Sequence, residues 1–381
     1  MKHFAPIAEN KLNIIGKRSK RNMLIYEASQ SRLMWNKLKR HKLAIFGSVI
    51  LALLYLMAIL ADFIAPYETT ERFKDYQFLP PMKIHMISEK EGLRTPFVYA
   101  LKKSQVDRFV FKYQEDKTRE YSLKFFIKTE PYKVFSLFTS STKLFGCEEI
   151  PVFLFGSDRL SRDIFSRAIY ASRISLFIGF GGVFLSFIIG SILGGISGFF
   201  GGVVDNVIQR IVELFMSIPK LPLWMALSAA VPRDWTGIQT YFAITLILSF
   251  MAWTGLARVV RGKIISLRGE DYVLAAQISG AKSLTIIRKH LLPAFTSYLV
   301  VHLTLAIPQM ILGETALSFL GLGIQPPDVS WGSLLKDAQS ITALVNYPWY
   351  LIVCIFVIIT VLMFNFVGDG LRDAADPYTN M

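Results

Sequence analysis

The chain has 381 residues, 52% of them hydrophobic, with 30 phenylalanines and a mean hydropathy of +0.42. That is too apolar for a water-soluble domain and fits a protein that crosses a membrane several times. The net charge of +14 does not point to nucleic acid: the basic residues crowd into the N-terminal segment and one later loop, where the positive-inside rule accounts for them.

Residues 1–42 carry Lys17, Arg18, Lys20, Arg21, Arg32, Lys37, Lys39, Arg40 and Lys42 against Glu9 and Glu27. This excess is expected to hold the N-terminal segment in the cytoplasm, and Trp35 with its basic neighbours suits a short interfacial helix. No cleavable signal peptide is visible, because the first apolar run is too long for a signal core. That run, Leu43 to Ala65 within residues 43–66, has the roughly 20 residues of a helical span. Asp62 near its end is expected to be solvated, and Pro66 closes it.

Residues 67–170 are polar and mixed. Arg108 to Tyr113 and Tyr121 to Lys128 alternate apolar and polar side chains around Gln114 to Lys117, which reads as a β-hairpin, and Tyr132 to Phe138 is a further candidate strand. A small β-rich insertion outside the membrane is expected. Of the two cysteines, Cys147 lies in this polar region and Cys354 in an apolar run, so a disulfide between them is not expected.

Residues 171–368 hold the remaining apolar runs. The second span is read as Ile174 to Phe200, where Gly182, Ser186, Gly190, Gly194 and Gly198 recur every fourth residue. Such a strip lets membrane helices approach closely, within one subunit or between two. The third span, Leu214 to Val231, is interrupted by Pro219 and Pro222, and the fourth runs from Tyr241 to about Leu256. A charged loop at 258–294 follows. Phe295 to Leu320 then climbs again with Pro308 and Glu314 inside it. An acid at membrane depth is costly and a functional candidate by default, although holding helices together is the simpler role. Gly321 to Asn346 form an outer loop, Leu351 to Val367 the last span, and residues 369–381 a short cytoplasmic tail. The count is six spans with both termini inside and the 258–294 loop in the cytoplasm.

That loop is the most informative stretch. Glu270 to Ser279 reads as a short helix stopped by Gly280, which suits the left-handed position after a helix. Ser283 is placed to cap a second short helix ending near Leu292 and Pro293. Ala275, Ala276 and Gly280 leave its middle nearly free of side chain, so another protein's backbone could approach. The plainer alternative is a helical hairpin between two spans.

Several chemistries are absent. There is no G-x-x-x-x-G-K-[ST], so no ATP-binding P-loop is expected, and no G-x-S-x-G nucleophile elbow. His3, His41, His85, His290 and His302 form no close metal-ligand spacing. The chain therefore reads as a transport subunit, not an enzyme, with no cofactor or metal of its own.

Five blocks in order carry a family resemblance: Phe155 to Arg167, Gly198 to Asp205, the 258–294 loop, Leu317 to Pro327 with Ser330 to Gly332, and Gly368 to Asp373 with Asp376 and Pro377. Together they resemble the inner-membrane permease subunits of ATP-binding-cassette importers, specifically the second permease of dipeptide and oligopeptide systems. The resemblance implies an all-α polytopic fold of type I with six transmembrane helices, here with a small β-rich external insertion. It implies a heterodimer with a paralogous permease, two cytoplasmic ATP-binding subunits and an extracytoplasmic substrate-binding protein, with nucleotide held by the ATPases. It gives the loop a coupling role, and the docking residues by this reading are Asp271, Tyr272, Ala275, Ala276, Gly280 and Ala281. Two departures matter. The family's glutamate before the two alanines is Leu274, and the family's glycine after Asp158-Arg159-Leu160 is Ser161. The long external segment leaves nickel complexes or oligosaccharides as alternative cargo; a channel or exporter subunit is a further alternative.

Overall fold

The computed structural model describes residues 30–375 apart from 89–91, 108–109, 135–137 and 233. The expectations about residues 1–29, Asp376 and Pro377 lie outside the described residues.

Helix α1 (Gln30–Leu38) leads into α2 (Lys42–Ile59), capped by His41, whose Nδ1 accepts from the Ala44 amide at 3.1 Å. Trp35 on α1 is exposed, with the Lys39 ammonium 5.2 Å from its ring centroid, as an interfacial helix requires. After Leu60 the chain continues as α3 (Ala61–Ile64). Asp62 is not solvated as expected. It is buried, and the Arg173 guanidinium donates to both its oxygens at 2.8 and 3.1 Å, which compensates the charge that burial takes out of water.

Among the described residues the insertion holds five antiparallel strands in two sheets. One has the order β1 (His85–Ser88), β2 (Gly92–Asp107), β3 (Val110–Ser122), and the other pairs β4 (Lys124–Val134) with β5 (Phe138–Gly146). The expected hairpin is therefore misplaced. Gln114 to Asp116 lie mid-strand in β3, opposite Lys102, Leu101 and Ala100 of β2. Their charges are accommodated across the sheet, Asp116 by Lys102 at 2.9 Å and Glu115 by His85 at 3.3 Å, so a polar run there does not make a turn. Tyr132 to Val134 end β4 and do not start a strand of their own. Leu79, Met82, Val98, Leu123, Val152 and Phe153 form the insertion's core. Lys143 joins it to the first span, donating to the Asp62 carbonyl at 2.8 Å.

Helix α4 (Ile164–Phe200) begins ten residues before the expected Ile174. At 1.5 Å per residue it reaches about 55 Å, against a hydrocarbon core of about 30 Å, so its first turns stand clear of the lipid. The third span is not one rod. α5 (Gly202–Ser217) and α6 (Lys220–Ala229) meet at 85°. Pro219 cannot donate to the ladder and forces Ile218 into extended backbone (ψ 128°). Among the described residues five helices are long and apolar enough to cross a membrane, and six spans result if the bent pair counts as one.

α7 (Gly237–Leu267) returns along α4 and leads to α8 (Asp271–Ile278), α9 (Ser283–Ile286), a π-turn (Ile287–Leu291) and α10 (Leu292–Ala294). Then come α11 (Thr296–Phe319), α12 (Trp331–Lys336), α13 (Ile341–Asn346) and α14 (Ile352–Ala375). The last helix therefore runs through Gly368 to Asp373, where a tail is expected from residue 369. The bundle core unites Leu176, Ile178, Leu248, Ile311, Trp331 and Tyr350. Both cysteines are free.

Candidate functional site

The charged segment folds as its local chemistry dictates. α8 is capped at its C-terminus by Ser279, and Gly280 takes φ +75°, a value an L side chain rarely adopts. The Ala281 amide then donates to the Ala276 carbonyl at 3.1 Å and the Gly280 amide to the Gln277 carbonyl at 3.0 Å, the paired hydrogen bonds of a Schellman cap. Ala276 and Ala281 lean on the same apolar cluster, which holds Val273, Ile286, Ile287 and Leu291 against Leu256, Val260 and Ile264 of α7. Ser283 does not cap α9. Lys282 holds that position without a side-chain bond, and Ser283 is already the first helical residue.

The six expected docking residues divide. Asp271, Tyr272, Ala275 and Gly280 are exposed, and a side chain on Gly280 would meet no atom within 4 Å. Ala276 and Ala281 are half-buried and anchor the turn. Sequence reasoning missed the apolar rim around the bare patch. Ile278 is 88% exposed, and Leu274 and Leu284 are exposed beside it. Two large apolar side chains flanking the stop glycine were the available signal.

Beneath this segment the chain is clamped by ions. The Arg261 guanidinium, near the end of α7, donates twice to Asp205 of α5, both at 2.6 Å. Ser197 of α4 donates to the same carboxylate, and Arg268 donates to the Gly198 carbonyl at 3.3 Å. The small-residue strip lies in this α4–α7 contact. A Cβ on Gly190, Gly194 or Gly198 would stand 2.9, 2.4 or 2.8 Å from the carbonyl oxygen of Trp253, Ala257 or Arg261. The strip therefore serves packing within this chain.

At the opposite end of the bundle Glu314 is fully buried. Its carboxyl accepts from the Ser318 hydroxyl at 2.6 Å and the Ser175 hydroxyl at 3.3 Å. Those hydroxyls in turn accept from the Ile324 and Trp331 amides, both at 3.0 Å. The acid thus binds α11 to α4 and to the 321–331 loop. Near it, Asp158 accepts from the Arg162 side chain at 2.7 Å and from Arg167. A cleft of about 810 Å³ lies between the ends of α6, α7 and α11, lined by Trp235, Thr240, Gln325, Asp328 and Lys336. Among the described residues no group of three or more His, Cys, Asp or Glu side chains could hold a metal ion.

Asp163 caps α4, accepting from the Phe165 amide at 3.3 Å and from the Ser166 amide and hydroxyl at 2.7 and 2.6 Å. Burial outweighs these donors and pushes its carboxyl up to about 7. The native state therefore holds this proton more tightly than the unfolded chain does. The associated stability is complete below the ordinary carboxylate range and is lost as pH rises through about 7. Asp163→Asn keeps an oxygen for the cap and removes the titration. Its melting temperature should fall less than that of the parent between about pH 4 and about pH 7; parallel profiles would refute the assignment.

The fold and site define a polytopic helical membrane subunit with a small β insertion and an exposed, bare-centred segment facing away from it. Residues 177–380 match the family of the binding-protein-dependent transport system inner membrane component, and residues 29–81 match the N-terminal TM domain of oligopeptide transport permease C. The chain belongs to the first of these families, and is a multi-pass permease subunit of an ATP-binding-cassette importer. It is 32% identical over 90% of its length to the dipeptide transport system permease protein DppC of Bacillus subtilis (strain 168), covering 84% of that protein. It is 39% identical to the oligopeptide transport system permease protein OppC of the same organism, over 62% of this chain and 76% of that protein. The inward-facing MetNI methionine ABC transporter aligns at 20% identity with a TM-score of 0.44, over 55% of this chain and 97% of the other.

Proposed function

We propose that this permease carries di- or oligopeptides as one half of a heterodimer with a paralogous permease, in an importer driven by two separate ATPase subunits, and that its 258–294 segment is the docking site for an ATPase. Cargo is delivered by a binding protein on the side of the β insertion, and both termini lie on the ATPase side. The cargo class rests on the relatives named for dipeptide and oligopeptide transport. Nucleotide is bound by the ATPases; this chain has no P-loop pattern. One observation carries the coupling reading: the Schellman turn holds Gly280 open and exposed beside Asp271, Tyr272 and Ala275, on a helix whose other side is fixed to α7. A push on α8 therefore reaches the bundle instead of being absorbed by a loose loop, and biases one packing over another.

The test uses the full importer in vesicles with its binding protein and a labelled oligopeptide. Gly280→Val adds a side chain at a left-handed position, at a backbone cost of about 1–2 kcal/mol, and also obstructs the patch. Ala275→Trp obstructs it without meeting the chain's own core. Both are expected to bring uptake and binding-protein-stimulated ATP hydrolysis to background while the permease still inserts. Coupled uptake persisting in both variants would remove the docking assignment. Transport of a nickel complex or oligosaccharide in place of peptide would remove only the cargo class.

A further inference from the structure

The first span shows one side of its helix to its surroundings along Leu53, Leu56 and Leu60, all exposed at the three- and four-residue spacing of a single face. Phe63 of α3 extends that face by three residues and meets Phe126 of β4, ring centroids 6.1 Å apart. Phe125 and Phe126 are 63% and 65% exposed. Neighbouring strand residues normally point to opposite faces of a sheet. Phe126, however, takes φ +55°, a conformation that bulky residues adopt only where the surroundings impose it, and both rings stay exposed. Lys124 and Lys128 flank the pair and are exposed as well, Lys124 within 2.9 Å of Glu148.

We infer that the β4–β5 hairpin rests on the membrane, with Phe125 and Phe126 entering the lipid leaflet on the insertion's side. Three observations on the page favour lipid over a protein partner. The two rings continue the exposed apolar face of a membrane span through direct ring contact, so the surface that meets Leu60 also meets Phe126. The Asp62–Arg173 pair, with Arg173 5.5 Å from the Tyr170 ring, marks the height at which the span next carries charge after Lys42, and Phe63 is the next residue. Aromatic side chains bracketed by lysines match an interfacial anchor, apolar rings in the acyl boundary and ammonium groups among the phosphates. The insertion is then held at three points: by Lys143 on the Asp62 carbonyl, by its own packed core, and by the bilayer.

The full chain carrying Phe126→Trp, and separately Phe125→Trp, is reconstituted in vesicles of phosphatidylcholine and phosphatidylglycerol, with Phe63→Trp as reference. The emission of the added tryptophan is read as the difference from the parent protein. Most of that emission should be lost when the acyl chains are brominated, for both strand positions as for the reference, while aqueous acrylamide leaves it largely intact. Quenching by acrylamide and not by brominated lipid would overturn the inference. Shielding from acrylamide that arises only when the paired permease or the binding protein is added would overturn it in favour of a protein contact.

Discussion

Gly194→Leu is expected to prevent the bundle from holding together, giving a permease that reaches the membrane and then melts or aggregates on extraction into detergent. A Cβ at Gly194 already lies 2.4 Å from the Ala257 carbonyl oxygen and 2.9 Å from both the Ala257 Cα and the Val260 Cβ. Two of these atoms are backbone, so no rotamer change relieves the clash and α4 and α7 must separate. Overpacking a tight site costs about 1–3 kcal/mol, which is the range expected for Gly194→Ala; the leucine adds three more carbons to the same gap. Separation also breaks the contacts that Gly190 and Gly198 make on the same helix pair, and pulls on the clamp by which Arg261 of α7 holds Asp205 of α5. Gly262, on the same helix as Ala257, has no atom within 4 Å of its would-be Cβ. Gly262→Ala should be neutral or stabilise by up to about 1 kcal/mol, since alanine is the better helix former. Thermal melting of the purified chain in detergent compares the two. Equal effects at 194 and 262 would mean that the strip is not a packing surface within this chain.

How much of this was legible beforehand depends on the range of the forces involved. The apolar runs gave the spans, because lipid demands internally bonded helices and leaves a long hydrophobic signature. Gly280 gave the end of α8, because a Schellman turn is decided within six residues. The recurrence of small residues on α4 located a contact face, but the partner needed three dimensions: nothing near Ala257 in the chain says that its carbonyl lies over Gly194. The β insertion is the least legible part of the chain. A charged run such as Gln114 to Asp116 resembles a turn until Lys102 and His85 are known to stand across from it. Asp62 reads as solvated in the sequence because Arg173 lies 111 residues away. At the candidate site, sequence reasoning found the bare patch but not the inward turn of Ala276 and Ala281, which depends on a cluster that α7, α8, the π-turn and the start of α11 build together.

Glu314→Ala should destabilise the fold strongly, and Glu314→Gln more mildly. A carboxyl group offers two oxygens, and here they take the protons of the Ser318 and Ser175 hydroxyls, with Ser330 also hydrogen-bonded to the carboxyl. Each hydroxyl then has its lone pairs turned toward a backbone amide, Ile324 for Ser318 and Trp331 for Ser175. Alanine leaves at least the buried hydroxyls of Ser318 and Ser175 without an acceptor, each costing about 1–3 kcal/mol, and opens a void beside Trp331, whose indole donates to the Ala168 carbonyl at 3.1 Å. Glutamine replaces one acceptor oxygen with an NH2 donor, so only one hydroxyl is misdirected and the cost falls to about that of a single unpaired group. The carboxyl and Ser318 act on the same loop, so Glu314→Ala combined with Ser318→Ala should cost less than the sum of the two single changes. Melting curves of the four proteins test this ordering. If Glu314→Ala melted like the parent and lost only peptide uptake, the acid would belong to the transport path and not to the joint between α11, α4 and the 321–331 loop.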